Sequence, residues 1–357
     1  MLNLMDKLST RQLEFPAQLV VQEGAVSESE LLSTHLSSKN VLLAIDDGVL
    51  ELAEVSLTNL FNSPNCITHS IAAADFNNIS QIDILCAQKQ IQTVVAFGGG
   101  KVLDVCKRLA TIRKVELIVI PTALSSDCIS SPVAVIFDNT GKKASLPAAI
   151  PNFIVVDTQL CAKAPMRLTQ AGVGDLLSNY SALLDMKYAK GRAEIDGFSF
   201  LLAKSAANEI LGMESKPLND LAVINQLAEG LILSGLAMGF SGDSRPCSGA
   251  EHLISHAIDY FQLGEGLHGE QVALGTKFCH FLRMELSLPT LDPRVLPTID
   301  GFNIKSTPSS LGISKEEFFK ALSLAPDMRK GRITFLEHLQ DIPQETLEAA
   351  YFNAFES

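Results

Sequence analysis

Short apolar runs alternate with helical patterns through the first 160 residues. Residues 17–21, 40–45, 66–71, 93–97, 117–120 and 153–156 read as strands. Residues 40–45 and 93–97 are apolar at nearly every position, as strands covered on both faces are. Between them, residues 28–35, a stretch through Phe61 after Asp46-Asp47-Gly48, and residues 77–90 with Ile79, Ile82 and Leu85 on one face follow the helical period. A further helix follows Gly98-Gly99-Gly100, with Val102, Val105, Cys106 and Leu109 turned inward. Residues 133–137, the turn 138–142 and residues 144–146 predict a hairpin.

After Asp157 the strand signal ends. Residues 166–357 predict helices only, broken by loops at 213–217, 239–246 and 287–310. The expectation is a Rossmann-like α/β domain with a parallel sheet over residues 1–160 and an all-helical domain over residues 161–357. A site is expected in the cleft between them.

Composition narrows the function classes. The net charge is −12 with no basic stripe, which argues against a nucleic-acid partner. Seven irregularly spaced cysteines without a CxxC fit reduced thiols; Cys106, Cys128 and Cys247 are expected to be packed side chains, not ligands. The first eleven residues have no apolar signal region, and the apolar run at 231–240 is too short to span a bilayer. The expectation is a cytoplasmic protein without a membrane partner, and a homo-oligomer by base rate.

Three of the seven histidines cluster: His252, His256 and His268. His252 and His256 share a helix face, with Ser248 and Glu251 spaced as a capping box before them. His268 opens a second helical segment after a Gly264-Glu265-Gly266 turn, and an antiparallel pair would bring it opposite His252. Asp175 follows Gly172 and Gly174, which read as a bend, and is predicted either as a helix N-cap or as third ligand beside His252 and His268. One carboxylate and two imidazoles suit zinc, with iron or nickel fitting the same donors.

The other motifs follow strands. Gly98-Gly99-Gly100-Lys101 predicts a pyrophosphate cradle at a helix N-terminus, or a bare βα turn, and departs from G-x-G-x-x-G. Asp46 is expected on the adenosine ribose, favouring NAD over NADP. Thr122, Ser125, Ser126, Asp127, Ser130 and Ser131 form a polar loop in which Asp127 is the expected acceptor for substrate hydroxyls. Arg245 and Lys277 are the basic residues considered for a phosphate.

Together these motifs resemble the iron-containing alcohol dehydrogenase and dehydroquinate synthase superfamily over nearly the whole chain, and within it the glycerol-phosphate branch. The carriers are residues 98–107, Pro121-Thr122 with Ser125, Asp127 and Ser131-Pro132, Ala171–Asp175 read as Ala-Gly-Val-Gly-Asp, residues 244–256, and His268-Gly269. The resemblance implies that Gly98, Gly99, Gly100, Lys101 and Val102 hold the pyrophosphate of NAD(P)H, and that Thr122, Ser125 and Ser131 contact the cofactor. It implies that Asp127 binds substrate hydroxyls, that Asp175, His252 and His268 hold the metal, and that Asp175 and His256 face the substrate. The implied reaction is metal-assisted hydride transfer between dihydroxyacetone phosphate and sn-glycerol 1-phosphate, with His256 or a water it holds relaying the proton. Alternatives are a polyol dehydrogenase acting on an unphosphorylated substrate, a dehydroquinate-synthase-like cyclase (disfavoured by Asp175 where Glu is expected), and a nucleotide-binding module without chemistry. Cys128 stands where the family often has Gly, and Met186 follows Asp185 where relatives often have Trp.

Overall fold

Burial on both faces organises the first half of the chain. In the computed structural model, which describes residues 15–27, 30–189, 191 and 196–357, eight strands form: β1 (Gln18–Gln22), β2 (Val41–Ile45), β3 (Cys66–Ser70), β4 (Thr93–Gly98), β5 (Glu116–Pro121), β6 (Val133–Phe137), β7 (Lys143–Pro147) and β8 (Phe153–Asp157). Six pair in parallel in the order β1-β8-β5-β4-β2-β3, and β6 and β7 make a separate antiparallel hairpin. β2, β4 and β8 are buried at every residue, which is why they read as unbroken apolar runs. The N-terminal residues 1–14 and the predicted helix start at residues 28 and 29 lie outside the described residues.

Helices α1 (Glu30–Leu36), α2 (Leu50–Ser56), α3 (Thr58–Phe61), α4 (Phe76–Gln88), α5 (Gly100–Arg113) and α6 (Thr158–Cys161) accompany the sheet. From β2 the chain goes to β3 on one side, then returns to β4 on the other. That reversal opens a crevice at the carboxyl ends of β2 and β4, where open parallel sheets take ligands. Asp46 and Gly98-Gly99-Gly100 stand there.

No described residue after Asp157 lies in a strand. The second half is α7 (Met166–Tyr188), α8 (Gly197–Asn208), α9 (Leu221–Ser241), α10 (Ala250–Tyr260), α11 (His268–Glu285), α12 (Val295–Gly301), α13 (Lys315–Leu324) and α14 (Gln344–Phe355). Two expected loops are corrected. α12 forms inside 287–310, and α9 continues into 239–246 before Gly242 ends it in the left-handed region. The apolar run at 231–240 belongs to α9, whose 21 residues are long and apolar enough to cross a membrane; 61% of its apolar window is buried inside the protein, so it serves as a core helix.

The predicted bend before Asp175 does not exist. α7 runs unbroken through Gly172 and Gly174, and Asp175 lies mid-helix, not at an N-cap. The small residues answer a packing need. A Cβ on Gly269 would lie 1.8 Å from the carbonyl oxygen of Ala171, and one on Gly174 would lie 2.3 Å from that of Gly269. α7 and α11 therefore meet backbone to backbone. Two buried cations complete the frame. Lys107 in α5 pairs with Asp104 and donates to the carbonyls of Cys128, Ser131 and Val133, holding the polar loop after β5. Arg283 in α11 pairs with Asp185 in α7, whose carboxylate also accepts from the backbone of Ala250 and Phe335.

Gly269→Ala is expected to destabilise the fold by about 1–3 kcal/mol, since backbone rather than a flexible side chain must move. Urea denaturation of the two proteins checks this; an unchanged midpoint would mean the helices are free to separate.

Candidate metal and dinucleotide site

α10 and α11 run past each other beside α7, and three side chains converge. Asp175 comes from α7, His252 from the first turn of α10, and His268 is the first residue of α11. The predicted cap is corrected here: Gly249, not Ser248, caps α10, and Glu251 turns back to the Gly249 N–H. Glu251 does more. Its Oε1 also lies 2.8 Å from His252 Nδ1, so that nitrogen carries a proton and Nε2 is left for a ligand.

The donor set fits a divalent ion. Nε2 of His252 lies 3.7 Å, and Nε2 of His268 3.5 Å, from Asp175 Oδ1. Donors around tetrahedral zinc, each about 2.0–2.1 Å from the ion, stand about 3.4 Å apart. One ligand atom from each residue lies within 4.8 Å of the others. Ser255 Oγ, 3.4 Å from His268 Nδ1, steadies the second imidazole. Three protein ligands leave coordination open for a substrate oxygen.

Buried charges set the protonation pattern. Burial disfavours the His252 imidazolium, but the carboxylates of Asp175 and Glu251 outweigh it and raise its pKa to about 9. Burial pushes Asp175 up, and His252 and His268 pull it below its ordinary value. His268 is lowered by burial, against the pull of Asp175. His256 is driven well below the usual range by burial and by the positive charges of His252, His268, Arg329 and Arg332, so it is neutral. Asp127 is raised to about 7 by burial and by Asp175. Its backbone N–H donates to Asp175 Oδ2 at 2.9 Å, and its Oδ2 accepts from Ser234 Oγ at 3.0 Å.

A cavity of about 690 Å³ brings Asp127, Ser131, His252, His256 and His268 together. The β6–β7 hairpin closes one side of its mouth, with Lys143 paired to Asp259 at 2.8 Å and Lys142 over the Tyr260 ring at 4.3 Å. The remaining predicted cofactor residues stand outside this cavity, at and just beyond the carboxyl ends of β2, β4 and β5. Gly99 has open space beside it, and Gly100 packs toward Cys128, where a Cβ would meet Sγ at 3.4 Å. Gly98 and Val102 touch each other, since a Cβ on Gly98 would meet Val102 at 2.8 Å. Lys101 pairs with Asp46, whose Oδ1 accepts from the Gly48 N–H. Thr122 is buried, with its N–H on the Gly98 carbonyl, and Ser125 is half-buried beyond it. Ser131 Oγ accepts from Lys107, so its hydroxyl braces the loop as well as facing the cavity. Cys106 and Cys247 are buried, and all seven thiols are free.

Sequence reasoning missed Ser234, Lys107 and the orienting role of Glu251. The acidic residue next to His252 was the available signal for the last. Arg245 and Lys277 pair with Asp243 and Asp300, and neither lines the large cavity.

The chain is similar to known proteins over most of its length. A family model described as iron-containing alcohol dehydrogenase matches residues 20–165. The chain is 32% identical over 339 residues to a glycerol-1-phosphate dehydrogenase [NAD(P)+] of Archaeoglobus fulgidus, covering 94% of this chain and 96% of the relative. It is 36% identical over 269 residues to the protein of the same name from Sulfolobus acidocaldarius, covering 74% of each. Among solved structures, glycerol dehydrogenase from Schizosaccharomyces pombe superposes with a TM-score of 0.76 at 18% identity, covering 97% of this chain and 91% of that one. Sulfoacetaldehyde reductase from Bifidobacterium kashiwanohense, in complex with NAD+, superposes with a TM-score of 0.73 at 14% identity, covering 97% and 98%.

Because the pKa of His252 is raised to about 9, its charge stabilises the metal-free fold fully below its ordinary value near 6.5, and that contribution is lost as pH rises through 9. A metal must displace this proton, so uptake near pH 7 is expected to release protons and affinity to grow as pH rises toward 9. Calorimetric titration in buffers of different ionisation enthalpy measures the release. Glu251→Gln is expected to weaken metal binding by about 10–100-fold; equal affinity would remove Glu251 from the site.

Proposed function

The chain belongs to the iron-containing alcohol dehydrogenase family, and on that premise we propose that it is an NAD(P)-dependent glycerol-1-phosphate dehydrogenase. It reduces dihydroxyacetone phosphate with NAD(P)H and one proton to sn-glycerol 1-phosphate and NAD(P)+. The observation that carries this reading is the convergence of Asp175, His252 and His268, with both histidines and Asp127 lining one cavity and Asp175 behind it on the Asp127 N–H, in a chain similar over its length to enzymes of that name. The likeness to glycerol dehydrogenases carries the fold alone.

In this reading Asp175, His252 and His268 hold a divalent metal, zinc by choice of donors, with Glu251 fixing the His252 tautomer. A bound metal supplies Lewis acidity to a carbonyl oxygen, and a bound nicotinamide supplies the hydride. The chain supplies the rest. Asp127, tied by its N–H to Asp175 and by Oδ2 to Ser234, leaves Oδ1 for a substrate hydroxyl and so orients the carbon chain. His256, neutral and one turn from His252, passes a proton between the substrate oxygen and cavity water. Gly98-Gly99-Gly100 and the amino end of α5 receive the pyrophosphate. The Asp46 carboxylate is compensated by Lys101, so its repulsion of a 2′-phosphate is weakened and the enzyme takes either dinucleotide. We keep a homo-oligomer as part of the proposal.

The test follows NADH and NADPH oxidation by metal-reconstituted protein with dihydroxyacetone phosphate and with dihydroxyacetone. Turnover of the phosphate ester is expected to dominate and to fall about a hundred-fold or more in Asp175→Asn. A preference for dihydroxyacetone would move the protein to the polyol dehydrogenases.

A further inference from the structure

In a chain of net charge −12, residues 329–332 read Arg-Lys-Gly-Arg. The segment follows the short turn Ala325–Met328, and Gly331 at φ +77° folds it back. Both arginines reach one hydroxyl: Arg329 Nη1 lies 2.6 Å and Arg332 Nη2 2.9 Å from Ser244 Oγ. Arg332 also donates to the Ser248 carbonyl. Arg113, Arg167, Arg245, Arg283 and Arg294 each have a carboxylate partner. Arg329 and Arg332 have none within ion-pair distance among the described residues. Burial, aided by Arg329, pushes the Arg332 guanidinium down to about 10. Two adjacent, half-buried guanidiniums with no carboxylate on either favour an anion that completes them.

Their position says which anion. Arg329 lines the 690 Å³ cavity that holds His252 and His256, and also a second cavity of about 230 Å³ beside it. Ser244 lines the larger cavity, and with two guanidinium bonds accepted it keeps its own hydrogen to donate. The charges of both arginines bear on His256, whose ring centroid lies 6.3 Å from that of His252. A three-carbon ester with its oxygen near His252 reaches that far, about one helical turn. The glycine turn, which suits a pyrophosphate, lies in the crevice on the other side.

We propose that Arg329 and Ser244, braced by Arg332, form the seat for the phosphate of the substrate, a dianionic phosphate monoester. This rests on the dehydrogenase reading above and names what separates a phosphorylated triose from a bare one.

Two measurements test it on protein saturated with NAD+, so that the glycine turn is filled. One is calorimetric titration with inorganic phosphate. The other is the ratio of kcat/KM for dihydroxyacetone phosphate over dihydroxyacetone on the metal-loaded enzyme. Arg329→Gln is expected to weaken phosphate binding and lower that ratio by about 10–100-fold, chiefly through KM for the ester. Arg329→Lys recovers part of both, since it keeps the charge without the fork. It also covers the case in which the Gln variant fails to fold. Arg294→Gln, on an exposed pair with Asp292, serves as the control and changes neither. Wild-type preference for the ester retained in Arg329→Gln, or phosphate affinity unchanged in it, overturns the seat while leaving the dehydrogenase reading intact. Loss of phosphate binding in Arg329→Gln, with wild type turning over neither triose, keeps the seat and removes the dehydrogenase reading.

Discussion

Helices α7 and α11 touch through their backbones at Ala171, Gly174 and Gly269, and the geometry of the cavity depends on that approach. Asp175 immediately follows Gly174, and His268 immediately precedes Gly269. The residues that remove side-chain bulk therefore sit next to those that supply ligands. Separating the two helices by the width of a methyl group would carry His268 away from Asp175 by a similar amount. Gly275 repeats the arrangement toward α10, since a Cβ there would lie 2.6 Å from the Glu251 carbonyl. Donor spacing is thus set by main chain, which is stiffer than any rotamer.

The buried charges follow from that frame. Glu251, His252, Asp175 and Asp127 form a continuous line of contacts through the core. Each member would be expensive alone in a low-dielectric interior. Together they keep one imidazole oriented, one carboxylate charged and a second carboxylate at the edge of ionisation. Ser234 ties the far end of the line to α9, the largely buried apolar helix Leu221–Ser241.

Much of this was legible from residue order. Parallel strands buried on both faces announce themselves as apolar runs, and β2, β4, β5 and β8 lie close to where those runs predict. The meeting of His252 and His268 was also legible, because a helix, a glycine turn and a second helix bring them opposite each other; Asp175 was legible only as one of two readings, the other a helix N-cap. The role of Gly172 and Gly174 was not. A glycine in a helix serves a bend or a close neighbour, and the neighbours, Leu124 for Gly172 and Gly269 for Gly174, lie far off in the sequence. Ser248 fitted a capping box, but the hydrogen-bond distance went to Gly249. Arg329 and Arg332 went unread because a short basic run usually means a solvated surface, and only the fold turns it inward beside Ser244.

The hairpin at the cavity mouth has a kinetic meaning. It meets α10 through one ion pair, Lys143 to Asp259, and one cation–π contact, Lys142 over Tyr260. Contacts of these kinds at a surface are worth about 1 kcal/mol or less each. Thermal motion breaks such a latch often, and dissolved salt loosens the ionic half of it. Exchange between cavity and solvent can therefore proceed by moving the hairpin tip around Lys142 and Lys143, while β6, held to α5 through Asp104 and its buried Ala134 and Ile136, and the backbone-to-backbone layer that spaces the ligands stay still.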